Sequence, residues 1–310
     1  MVLSMVPRVP PEVDLPADEP ARVRAVWEGL GLPGLVDVHT HFMPDRVQQK
    51  VWAFFDALEE HVGTAWPIAY RLPDDERVRR LADLGVRAYT ALNYPHKPGM
   101  AAWLNDWTAD FAAGAPGCVP SATLYPEPDA PAYVAAALER GARVFKAHVQ
   151  VGEYDPADPL LDPVWGLLAE AGVPTVIHAG SGPHPGRFTG PGPVAEVLGR
   201  HPRLPLVIAH LGMPEYDEFL TLAERHPGVH LDTTMAFTDF IADRHPFPDA
   251  LLGRLADAGE KVVLGTDFPT IPHPYLHQLE AIVGLGLGDD WLRAVLHDNG
   301  ARLLRVDAPG

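Results

Sequence analysis

The chain has 310 residues, 47% of them hydrophobic and 21% charged, with a formal net charge of −17. That length can bury a substantial core in one large α/β domain or two small ones. The acidic balance and the lack of any Lys/Arg run argue against nucleic acid or an anionic membrane as partner.

The single cysteine, Cys118, excludes an internal disulfide framework and any CxxC zinc module, and it fits a reducing cytosol. The opening stretch MVLSMVPRVPPEVDLPADEP has no basic region leading into a long apolar segment, so it does not read as a secretion signal. No run approaches the ~18 apolar residues of a membrane span. A cytoplasmic location is the expectation. The first 20 residues, rich in proline and acid, read as an extended arm, and a helix is predicted over 21–30 (ARVRAVWEGL), ended by Gly31 and Gly34. Residues 1–33 therefore form an N-terminal arm and helix, and 34–310 a single domain.

Eight short β-rich runs follow, each bounded by Gly or Pro: 34–42, 85–94, 117–125, 142–150, 173–180, 204–212, 228–234 and 261–269. Helical patterns separate most of them, such as DAPAYVAAALERG before the fourth and LDPVWGLLAEAG before the fifth. Strand–helix alternation implies parallel strands, because parallel pairing needs a crossover. Eight such units predict a (β/α)8 TIM barrel, with an insertion after strand 1 and the N-terminal extension. An open doubly wound sheet would carry a glycine-rich first turn, and the first turn here is HTHFMPD. The insertion, about 43–84, contains VQQKVWAFFDALEEHV, an amphipathic helix with apolar residues at 47, 51, 54, 55, 58 and 62. A lid over the barrel mouth is one reading of it; packing or a homodimer contact is the other.

The C-terminal ends of parallel barrel strands converge on one mouth. Strand 1 ends in His39 and His41, strand 4 carries Lys146 and His148, strand 5 ends in His178, strand 6 in His210, and strand 8 in Asp267. A single strand histidine is more often a hydrogen-bonded core residue than a ligand, and Asp267 alone would pass as a helix N-cap. Five strands carrying such groups at one end favour a metal or a catalytic network, because buried polar groups need partners. Arg187, in the loop GSGPHPGRFTGPGP, reads as a solvated surface residue or a carboxylate clamp, and Asn93 and Tyr94 after strand 2 stand in the same position. Asp37 is a candidate orienter of the strand 1 histidines. His96, His184 and His273 lie in Pro-rich loops that could reach the mouth.

The motifs DVHTH, FKAHV, VIHAG, VIAHLG and LGTDFP, in this order, resemble the amidohydrolase superfamily. The nearest branch is the amidohydrolase-related group, which holds hydrolases and non-oxidative decarboxylases, and the resemblance covers roughly 34–305. It implies that His39, His41, His178 and Asp267 bind one divalent metal. It implies that His210 sits beside this metal as a second-metal ligand or acid/base. Lys146 matches the lysine that bridges two metals when carboxylated; otherwise it is free to bind an anionic substrate, and His148 beside it becomes a candidate substrate contact. Three imidazoles and a carboxylate suit Zn²⁺, with Mn²⁺ or Fe²⁺ as alternatives.

The resemblance then implies a metal-dependent hydrolase of a small-molecule amide, ester or lactone, with Asp267 moving the water proton and His210 polarising the carbonyl. The alternative is a metal-dependent decarboxylase of a small aromatic or unsaturated carboxylic acid. A metal-binding barrel without turnover is the reading outside enzymology. Serine hydrolysis is disfavoured, because AGSGP around Ser181 is not a GxSxG elbow.

Overall fold

Each of the eight β-rich runs contains a strand in the computed structural model, which describes residues 13–62 and 65–306. The strands are β1 (Leu35–Asp37), β2 (Val86–Thr90), β3 (Cys118–Val119), β4 (Ser121–Thr123), β5 (Val144–His148), β6 (Thr175–His178), β7 (Leu206–Ile208), β8 (Val229–Asp232) and β9 (Val262–Val263). The third run supplies both β3 and β4 because Pro120 stands between them, and proline has no N–H to give to the ladder. All pairings are parallel and follow chain order, β1 to β3 and then β4 to β9. The seam between last and first stave is joined by backbone hydrogen bonds. The Val38 N–H donates to Leu264 O at 2.9 Å, Asp267 N–H to His39 O at 2.8 Å, and His41 N–H to Phe268 O at 2.7 Å. A parallel bridge between Thr40 and Phe268 continues that seam. The architecture is the (β/α)8 barrel expected from the alternation.

Strand periodicity sorts the core into two layers. Inside the barrel, Val36, Ala88, Val119, Val144, Val176, Val207 and Val263 pack together, joined by Leu304 just past the last helix (Asn299–Leu303). The opposite faces, with Tyr89, Phe145, Ile177, Ile208 and Leu231, pack on buried helix residues such as Trp165, Leu168 and Phe219. The helices Ala130–Glu139 and Asp162–Ala171 stand where the sequence pattern placed them, and Pro191–Arg200 and Tyr216–Arg225 continue the alternation.

The N-terminal helix spans Glu19–Gly29. Glu19 is fully buried, and its Oε1 accepts from the Tyr70 hydroxyl at 2.7 Å and the Leu276 N–H at 3.2 Å, which fixes the helix to the barrel. The first 12 residues of the proposed arm lie outside the described residues. The insertion holds a helix Asp45–Asp56, a short helix Leu58–Val62 and a helix Asp74–Leu84. Arg77 ties the first to the third. Its buried guanidinium pairs with Asp74, donates to Gln48 Oε1 at 2.9 Å, and lies 5.2 Å from the Phe42 ring centroid. Among the described residues no helix is long and apolar enough to cross a membrane.

Candidate active site

The strand ends open into one cavity of about 770 Å³. His39, His41, Lys146, His148, His178, His210 and Asp267 all line it. The alternation within β5 puts Val144, Lys146 and His148 on its inner face, as it does Val176 and His178 in β6. His210 arrives by a different route. It is out of phase with the inner residues Val207 and Ala209, and the chain turns through left-handed backbone at His210 (φ 55) and Leu211 (φ 54) to bring it in. Asp267 is also left-handed, at φ 69. Non-glycine residues seldom take this region, at a cost of roughly 1–3 kcal/mol each, and such costs cluster at functional sites.

His39, His41 and Asp267 bring one ligand atom each to within 4.8 Å of one another, so the three could hold a metal ion. Their hydrogen bonds fix which nitrogen faces inward. His41 Nδ1 donates to the Leu92 carbonyl at 2.8 Å, which leaves Nε2 to point at Asp267 Oδ1, also at 2.8 Å. His39 Nδ1 donates to Asp232 Oδ2 at 2.9 Å, and its Nε2 lies 3.4 Å from the same Asp267 oxygen. In neutral rings both Nε2 atoms present lone pairs to one carboxylate oxygen. Such a contact repels unless a proton or a cation is shared among them, so the donor set fits a divalent ion. His178 stands outside the group of three. Its Nε2 donates to Gly182 O at 3.0 Å, leaving Nδ1 with the lone pair, and its ring stacks on His148 with centroids 4.2 Å apart.

Lys146 is fully buried, with Nζ 2.8 Å from His39 Nε2. Burial, only partly opposed by Asp267 and Asp232, pushes its amine down to about 8. Burial likewise lowers His39 to about 4, helped by Lys146, and holds His148, His178 and His210 below the usual imidazole value, so these rings are neutral near pH 7. Burial raises Asp267, but the His41 hydrogen bond and the neighbouring imidazoles outweigh it and keep the carboxylate ionised.

One residue that the sequence reading passed over, Asp232, and one that it left between a surface and a site role, Tyr94, complete the site. Asp232, at the end of β8, is fully buried. Its Oδ2 takes the His39 ring, and its Oδ1 accepts the backbone N–H groups of His210 at 2.8 Å and Thr234 at 3.1 Å. The signal was present in LDTT, an acidic residue closing the seventh run as Asp267 closes the eighth. Tyr94 lines the cavity between His41 and His148, with ring centroids 5.5 Å and 4.8 Å away.

Three expected contacts lie elsewhere. Asn93 is not in the cavity wall; it donates to Phe42 O at 2.8 Å and Thr108 Oγ1 at 3.0 Å, so it ties elements together. Arg187 is exposed, outside the cavity, and lies over the Phe188 ring at 4.9 Å. Asp37 meets the Thr266 and Tyr275 hydroxyls (2.6 and 2.9 Å) and the His39 backbone N–H (3.1 Å); the carboxylate that orients the His39 ring is that of Asp232. Among the loop histidines, His96 and His184 line the cavity and His273 does not.

A family model described as Amidohydrolase matches residues 36–306. No curated protein matches the sequence. Among solved structures, an uncharacterized TIM-barrel protein from Bordetella bronchiseptica aligns with a TM-score of 0.71 at 19% identity, over 88% of this chain and 98% of that one. A 5-carboxyvanillate decarboxylase from Sphingomonas paucimobilis aligns at 0.63 with 15% identity, over 89% and 100%. The 5-carboxyvanillate decarboxylase of Novosphingobium aromaticivorans, with bound manganese and 3-methoxy-4-hydroxy-5-nitrobenzoic acid, aligns at 0.62 with 12% identity, over 88% and 97%. At these identities the likeness shows the fold alone.

Proposed function

The chain belongs to the amidohydrolase family, and from that premise we propose that it is a metal-dependent hydrolase of a small-molecule amide, ester or lactone. The observation that carries this is the convergence of His39 Nε2, His41 Nε2 and Asp267 on one point in the wall of a large cavity. His178, which offers its Nδ1 lone pair from the same wall, is the fourth candidate ligand. Zn²⁺ suits the donor set, and Mn²⁺ is the alternative. Held by these residues, an ion would supply Lewis acidity that polarises a carbonyl and lowers the pKa of water toward ~7.

The protein's own groups divide the remaining work. Asp267, ionised and aimed into the cavity, takes the proton from water and returns it to the leaving group. His210 donates Nδ1–H to the Thr234 carbonyl at 3.2 Å, so its Nε2 carries a lone pair. In that tautomer it accepts a proton or a metal, which favours the metal-ligand or base role among those the resemblance implied over polarising a carbonyl. The Tyr94 hydroxyl and the His148 Nε2–H are better placed as donors to a developing oxyanion. The Tyr94 hydroxyl has no protein partner among the described residues. His148 Nδ1 accepts the Val151 N–H at 3.4 Å, which leaves the proton on Nε2.

Decarboxylation is the second reading. It is favoured by the buried amine of Lys146 beside His39, which could hold a substrate carboxylate at the triad. A panel of amides, lactones and aromatic carboxylic acids, assayed with added Zn²⁺ or Mn²⁺, separates the two. Hydrolysis without CO2 supports the first, and CO2 release without hydrolysis transfers the assignment to the second.

A further inference from the structure

We propose that the substrate is an amphiphilic organic anion. Its reacting group faces the His39–His41–Asp267 triad, its apolar body is larger than one ring, and a separate anionic end rests on Arg46, Lys50 and Lys97 at the cavity rim. This rests on the proposed reading of the triad as the reacting end.

The insertion helix Asp45–Asp56 turns two stripes toward the cavity. Val47, Val51 and Phe55, joined by Leu58 of the next helix, form an apolar wall, and Arg46 and Lys50, one turn apart, form a cationic edge beside it. Lys97, on the loop after β2, adds a third cation to the same cavity. Surface cations are usually just solvated. Other cations, such as Arg203 and Arg225, also lack a carboxylate partner among the described residues; these three are set apart by lining one cavity together, in a chain whose acidic residues outnumber Lys and Arg by 41 to 24. Among the described residues, none of the three rim cations has an ion-pair partner. One carboxylate, Glu153, also lines the rim and opposes them. The wall as a whole carries four Lys or Arg (46, 50, 97, 146) against two acids (153, 267), a surplus of two positive charges in a strongly negative molecule. Such a cleft concentrates anions.

The apolar part of the argument is independent of charge. Five large apolar side chains are exposed among the described residues, and Phe54 (58%), Trp103 (47%) and Val151 (39%) all line this one cavity. Leaving them wet costs free energy that an apolar ligand body would recover. The volume lies in the upper part of the ~300–1,000 Å³ typical of sites for drug-sized ligands, more than a single ring needs.

Calorimetric titration with 4-biphenylacetate, 4-biphenylacetamide and benzoate tests this, using wild type and an Arg46→Gln/Lys50→Gln/Lys97→Gln variant, each metal-loaded and EDTA-treated. The expected result is that the biphenyl acid binds more tightly than its neutral amide and than benzoate. The triple variant should lose about tenfold in affinity for the acid, the sum of three partly exposed charge contacts, and keep its affinity for the amide. Trp103→Ala should weaken acid and amide alike. The proposal is overturned if acid and amide bind equally, if benzoate binds as well as the biphenyl acid, or if the acid preference survives the triple substitution and vanishes with EDTA, which would place the anion on the metal. A protein that takes up no metal but still loses acid affinity in the triple variant would refute the triad reading and leave the rim assignment standing.

Discussion

His39 is held at both ends of its ring, by Asp232 at Nδ1 and by Lys146 at Nε2. Asp232 accepts three donors at once, which only a carboxylate can do; an amide must turn its NH2 on one of them. Asp232→Asn should therefore weaken metal binding by about 10–100-fold, as carboxylates behind metal-bound histidines do, with the barrel's far-UV spectrum retained. Titration of Zn²⁺ into the stripped variant measures this, and unchanged affinity would remove Asp232 from the site. Gly265 is the neighbouring test. A Cβ there would stand 2.4 Å from Thr234 Oγ1, 2.9 Å from His39 Cβ and 3.0 Å from Asp232 Cγ. Gly265→Ala should cost about 1–3 kcal/mol by overpacking and lower metal affinity with it; a denaturant midpoint equal to wild type would contradict the crowding. At this scale the sequence was a good guide to the residues on regular strand ends, such as His148 and His178. It misjudged residues whose place depends on a tertiary partner. Asp232 is made important by His39, 193 residues away, and Asn93 is drawn out of the cavity by Phe42 and Thr108.

The insertion is where element-level reasoning stopped short. Periodicity showed an amphipathic helix but could not say which surface its apolar face meets. The structure places that face on the cavity, so the helix Asp45–Asp56 is a wall of the site. What fixes the wall is Arg77 behind it, with Asp74, Gln48 and the Phe42 ring as partners. Arg77→Ala should destabilise the protein by about 1–3 kcal/mol, because it leaves the polar groups of Gln48 and Asp74 short of a partner. Hydrogen exchange should rise over 45–56 while the barrel strands stay protected; uniform exchange across the molecule would show that Arg77 supports the whole fold instead. The strands were easier to read, because parallel staves buried on both faces give continuous apolar runs. The break at Pro120 is the one place where local chemistry divided a run in two.

For the molecule as a whole, the alternation of eight runs with helices was sufficient to identify the barrel, because parallel pairing in chain order leaves few other arrangements. Part of its loss of stability in acid comes from histidines away from the site. Burial, the largest influence on each, lowers both His230 and His273 to about 4. Unfolded histidines titrate near 6.5, so between pH 6.5 and about 4 the unfolded chain holds protons that the folded chain refuses. These two groups therefore cost no stability above pH 6.5 and lower it progressively as the pH falls toward 4. Urea midpoints at pH 7 and pH 5 should differ in wild type and differ less in a His230→Gln/His273→Gln variant; identical pH dependence would refute the assignment. The proposed activity depends on a cation shared by His39, His41 and Asp267. Metal content per chain, measured side by side on wild type and Asp267→Asn after dialysis against Zn²⁺, tests it most directly. The expected result is roughly one bound ion in the wild type and its loss in the variant. A metal-free wild type that retains full activity on its identified substrate, or equal metal in both proteins, would contradict it.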